Sequence, residues 1–176
     1  MSPLVPLLLV AQAAVHVAPP TPEGHVHVAP AGTLKTCPVR PVIPAGLAGW
    51  RAMTPVAAGR APAVIGVGRG ARATLLPGDT VTYALPPARA GAAGTSGGVF
   101  AFEVARAGTY RVALGGGAWI DVVQGGTALA SKAHARGPAC SPVRKMVDFD
   151  LARGRYLLQV AGSPTPTLGL IVARLG

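Results

Sequence analysis

The chain has 176 residues, half of them hydrophobic but only 5% aromatic, and carries 16 Lys and Arg against 6 Asp and Glu, a formal charge of +10 at pH 7. Its 24 glycines and 18 prolines, about a quarter of the chain, exclude an architecture of long helices and favour many short strands joined by tight turns. The cations are scattered, with Arg144–Lys145 the densest cluster and neither a basic run nor an aromatic-interleaved motif; this excludes a specific nucleic-acid binder and leaves open attraction to an anionic polymer.

In chain order, Leu4 to Val10 is a short apolar stretch, and Ala11-Gln12-Ala13 has the small-x-small form of a signal-peptidase site. The stretch is too short to serve as a transmembrane segment, and nothing basic precedes it, so residues 1–13 predict an atypical export signal. Residues 14–34, rich in Pro, Ala and His without a period, read as a flexible linker. Within it His25-Val26-His27 is a metal hook without the glutamate that a cupin site would place a few residues on. Residues 35–176 are then a single domain of a periplasmic or secreted protein.

Two cysteines stand in that domain, Cys37 and Cys140, with no C-x-x-C spacing. In an exported protein they most simply pair, and closing so long a loop contributes up to roughly 4–5 kcal/mol in the chain-entropy model. The rival reading, a nucleophilic Cys140 helped by His134, needs a third orienting group and an oxyanion site. Trp50, closing Leu47-Ala48-Gly49-Trp50, is expected to cap the core where the disulfide ties down the N-terminal segment.

From Ala63 onward the residues alternate with the two-residue period of half-buried strands. Val81, Tyr83 and Leu85 share a face, as do Phe100, Phe102 and Val104, with Glu103 opposite. Tyr110, Val112 and Leu114 point inward and Arg111 outward; Ile120 and Val122 oppose Trp119, Asp121 and Val123. Val147, Phe149 and Leu151 oppose Met146, Asp148 and Asp150, and two further strands carry Tyr156, Leu158, Val160 and Leu168, Leu170, Val172. Gly- and Pro-rich pieces separate them. The pattern predicts an all-β fold, an antiparallel β-sandwich or jelly roll of about eight strands.

The segments Phe102–Leu114 and Phe149–Val160 echo each other: Phe, an acid, an Ala-Arg turn with Gly, then Tyr opening a strand. They are expected to be equivalent hairpins, one on each sheet. The element F-x-V-x-x-x-G-x-Y-x-V-x-L, and its later form L-x-x-G-x-Y-x-L-x-V, resembles the bacterial pre-peptidase C-terminal domain, a jelly-roll module of secreted enzymes, over Val99 to Ala173. Leu47–Trp50 after an early cysteine, Gly108 to Val123, and Ala133 to Phe149 resemble a group of small exported bacterial proteins often named homogentisate dioxygenase. In that pattern a second histidine stands where this chain has Arg136. The name implies ferrous iron held by two histidines and a glutamate; the domain here offers His134 alone, so a metal-dependent oxygenase lacks ligands.

The remaining candidates are few. Asp121 and Asp148 each sit mid-strand among large apolar residues and must be paired or protonated if buried. Asp121 could accept from Arg111 or Arg144, and Asp148 from Lys145 or a loop amide; Asp148 with Arg111 is the ion-pair candidate. Trp119, with Asp121 and an arginine, is the usual equipment for stacking and holding a sugar. The Gly-rich pieces are not phosphate loops, because no Gly-Lys-Ser or Gly-Lys-Thr follows. No nucleophile-elbow sequence supports a triad of Ser131 or Ser141 with His134 and an aspartate. The expected function is a non-catalytic binding or envelope-associated module with no cofactor, presenting Trp119, Asp121, His134, Arg136, Arg144 and Lys145 to an anionic or carbohydrate-like partner.

Overall fold

The computed structural model describes Thr36, Cys37 and residues 39–176; the expected export signal, the linker and the His25-Val26-His27 pair lie outside the described residues. Six long strands follow the alternating segments: β5 (Ser96–Val104), β6 (Gly108–Leu114), β7 (Trp119–Gln124), β10 (Lys145–Leu151), β11 (Gly154–Ser163) and β12 (Thr167–Arg174). Six shorter ones, β1 (Met53–Ala57), β2 (Ala63–Val64), β3 (Gly70–Thr74), β4 (Leu76–Pro77), β8 (Thr127–Ala128) and β9 (Ala133–Ala135), complete the sheets. One sheet has the order β1-β3-β12-β6-β10-β9; the other runs β2-β5-β11-β7-β8, with β4 also paired to β5. The fold is an all-β sandwich with more strands than the eight expected.

Most pairs are antiparallel, but β1–β3 and β2–β5 are parallel. The chain changes sheet between β1, β2 and β3, and β3 returns to the sheet of β1 pointing the same way. Pro55 inside β1 is tolerated because β1 is an edge strand, where a missing donor faces away from the ladder.

Alternation decides what lies between the sheets. Phe100, Phe102, Val112, Leu114, Leu158 and Leu170 are among the residues packed there with almost no exposure. The Phe102 and Tyr156 rings stack with centroids 5.4 Å apart. The echoed segments are not hairpins: β5 and β6 lie in different sheets, as do β10 and β11, so each turn arches across the sandwich. The tyrosine opening each second strand locks its arch. Tyr110 donates its hydroxyl to the Arg106 carbonyl (2.6 Å) and Tyr156 to the Ala152 carbonyl (2.9 Å), each four residues back, the device known as a tyrosine corner.

Both outer faces are covered. Leu47, Trp50, Val143, Met146 and Ile171 form a second apolar cluster on the outside of the first sheet. Trp50 therefore seals that outer face and not the core between the sheets. Cys37 and Cys140 are joined by a disulfide, Cα atoms 5.3 Å apart, and the Val42 amide donates to the Cys140 carbonyl, so the covering segment is fastened beside β10. The segment around Val81–Leu85, expected as a strand, has no ladder partner. It crosses the outside of the second sheet as a strap. Gln159, buried on β11, accepts from the Ala84 and Leu85 amides through Oε1 (2.6 and 3.1 Å) and donates through Nε2 to the Leu85 carbonyl (3.1 Å). One side-chain amide thus does what a neighbouring strand would do. Tyr83 donates to the Val160 carbonyl, and its hydroxyl occupies the space a side chain at Gly97 would fill.

Candidate functional site

Where β7 and β10 lose their neighbours, the sandwich opens. β8 pairs only with Val123 and Gln124 at the end of β7, after a turn of Gly125 and Gly126 in which both φ angles are positive, the geometry of a two-residue hairpin loop. β9 covers three residues of β10. Between these short edges lies a cleft of about 1160 Å³. Trp119, Asp121, His134, Arg136, Arg144 and Lys145 all line it.

Register explains the convergence. Trp119 and Asp121 lie opposite Ala161 and Gln159 of β11 and share the outer face of their sheet, whereas Ile120 points inward. His134 lies opposite Val147, and directly opposed residues point to one side, so its imidazole shares the inner side of the other sheet. Lys145 opens β10 opposite Leu114, also on the inner side, and reaches across to donate to the Ala118 carbonyl (2.9 Å). Arg136 and Arg144 sit at the two ends of the disulfide-bearing connection between β9 and β10. That connection turns at Cys140, whose φ of 62° is the single positive value outside glycine among the described residues.

Trp119 organises the cations. The Lys145 ammonium stands 4.8 Å from the centroid of the indole and the Arg89 guanidinium 5.1 Å from it, both within the range of cation–π attraction. Its ring N–H donates to Asp121 (2.9 Å), whose other oxygen accepts from the Ala88 amide of the strap (3.3 Å). Asp121 is therefore held by an indole and a backbone amide, with neither Arg111 nor Arg144 among its bonds. Burial lowers the Lys145 pKa, the Arg89 charge lowers it further and Asp121 opposes both. Burial and then Asp121 raise the Tyr83 hydroxyl above its usual value. Four basic side chains, Arg89, Arg136, Arg144 and Lys145, thus line the cleft against one carboxylate already engaged.

Asp148 belongs elsewhere. It lies on the outer face of the first sheet directly opposite Arg111. The two form a two-pronged ion pair at 2.7 and 2.8 Å, and that hydrogen bonding raises the Arg111 pKa. Lys145, the partner considered for Asp148, points away from it into the cleft. Beside the pair, Thr109 and Lys132 bond to Asp150 and hold its carboxyl below the usual range. The Ser141 hydroxyl accepts from the Val143 amide, and Cys140 is in the disulfide, so neither is arranged as a nucleophile.

Arg89 is the cleft residue that reading the sequence missed. It lies in the long Pro-, Ala- and Gly-rich stretch after Leu85, which reads as a connection; a loop of that length without structure of its own is itself a sign of function. Among the described residues no group of three or more His, Cys, Asp or Glu side chains converges where a metal ion could be held. No described helix is long and apolar enough to cross a membrane. No protein-family model matches the chain, and no curated protein matches it.

Proposed function

We propose that the chain is an exported, non-catalytic β-sandwich module that binds an anionic or carbohydrate-like partner of the cell envelope in the cleft beside β7. The observation that carries this reading is the convergence of four cations from three separate segments on one concave site, two of them held against a single indole. The same observation favours the anion over a neutral sugar, because Arg89 and Lys145 crowd the ring that a sugar would stack on. The disulfide supports an oxidising compartment, and the resemblance to small exported bacterial sandwich proteins supports the same address.

Titration calorimetry with an oligogalacturonate and an uncharged dextran oligomer tests the reading. The acidic oligomer is expected to bind, to weaken as salt rises because exposed charges are screened, and to weaken again in Arg136→Ala and Arg144→Ala, both exposed positions. Equal binding of the two oligomers, or indifference to both substitutions, would reject it.

A further inference from the structure

We propose that the end of the sandwich opposite the cleft is a second anion-binding surface, so that one molecule joins two chains of an acidic polymer. The inference rests on reading the cleft as an anion site and adds a second valence. It starts from the two echoed segments. β5 ends with Val104 opposite Gly154, where β11 begins, and β10 ends with Leu151 opposite Gly108, where β6 begins. The two arches therefore stand side by side at one end, their feet a strand spacing of about 5 Å apart. Each carries an arginine at its tip, Arg106 within residues 105–107 and Arg153 beside Ala152, and all of these residues are exposed. Two more arginines flank them. Arg155 follows the second arch, exposed on the outer face of β11, since Tyr156 next to it points inward. Arg174, exposed at the end of β12, donates to the Ala107 carbonyl of the first arch (3.5 Å).

The ion pairs among the described residues, Arg111–Asp148 and Lys132–Asp150, include none of these four arginines. Two carboxylates lie close by: Glu103, opposite Arg155 in register, and Asp150, which Thr109 and Lys132 already hold. The arginines are thus in excess, and the tyrosine beneath each arch fixes the backbone that bears them, so little ordering remains to be done on binding. The cleft cations belong to the other end. Lys145 opens β10 and Leu151 closes it at the arch; the strand is 7 residues long, which sets the two groups about 20 Å apart. That is beyond the screening length of about 8 Å at physiological salt, so the two ends act as separate sites. A second chain of the same acidic polymer is the occupant that this charge fits.

The test is light scattering with long polygalacturonate, beside calorimetry with the oligogalacturonate. The native protein is expected to bind two oligomers per chain. It is expected to scatter strongly at intermediate ratios of protein to polymer and weakly again in excess protein, when each polymer is coated and no longer joined. Arg106→Gln/Arg153→Gln/Arg155→Gln is expected to weaken the second site about tenfold and abolish the scattering, with the cleft site unchanged. Arg51→Gln/Arg60→Gln/Arg72→Gln removes the same charge from exposed positions around β1 and is expected to keep the scattering. One oligomer per native chain without scattering overturns the bridging proposal and spares the anion site; no binding of either probe overturns both. Scattering that survives the arch substitutions, or that both triple variants lose alike, also overturns it. Binding through the arches to phosphatidylglycerol vesicles, without scattering from the polymer, gives the surface to a lipid partner and overturns it equally. Because the stoichiometry is read on the native chain, a variant that fails to fold does not remove the test.

Discussion

At the scale of single residues, Lys145 is the group whose titration reports the cleft. Its ordinary value is 10.5, and burial and Arg89 pull it lower. Between the folded value and the unfolded one the unfolded chain holds more protons, so stability rises as pH climbs through that window and is unaffected by Lys145 above it. Arg89→Met is expected to move the Lys145 pKa up and Asp121→Asn to move it down, read from NMR titration of isotope-labelled dimethyl-lysine. A Lys145 signal that ignores both would mean that the three groups do not form one electrostatic unit. The two mid-strand carboxylates make a contrast. Alternation set Asp121 and Asp148 on the faces opposite Ile120 and Val147, and Arg111 was the ion-pair candidate for Asp148, but the partner of Asp121 depends on information that no short stretch contains. Asp148 meets Arg111 because register sets them opposite each other; Asp121 meets Ala88 because the strap passes over it.

At the scale of elements, the strap on the second sheet hangs on Gln159. Gln159→Leu leaves two amides and a carbonyl of the strap without their partner and is expected to cost about 1–3 kcal/mol, measured by urea unfolding. Faster amide exchange should be confined to Ala84 and Leu85, and uniform acceleration across β11 would contradict the account. Val81–Leu85 shows why part of the fold is hidden from the sequence. Its alternation of Val, Tyr and Leu is that of a strand, yet it lies across an outer face instead of along an edge, and only a buried glutamine far along the chain says so. The six long strands were legible because each buries one face fully. Short edge strands such as Thr127–Ala128 and Ala133–Ala135 were not, since they are exposed on both faces and carry no alternation. The cleft was legible as a set of residue types and not as a place: six of its charged and aromatic residues stood out, while Arg89 lay in apparent filler.

At the scale of the whole molecule, the echoed segments give the sandwich an internal order. β5–β6–β7 and β10–β11–β12 are equivalent runs, each crossing between sheets at every turn, and they interlock. Both ladder neighbours of β6 are β10 and β12; both neighbours of β11 are β5 and β7. Neither run can satisfy its own central strand. Severed at Gly125–Gly126 and reduced at the Cys37–Cys140 bridge that spans the cut, the chain would therefore yield two halves that each lack the pairing edges the other supplies. Each half is expected to be unfolded by circular dichroism alone and to regain sheet on mixing, the behaviour of a split reporter that signals only when its pieces meet. A half that folded by itself would show that the interlock is a matter of geometry and not of stability.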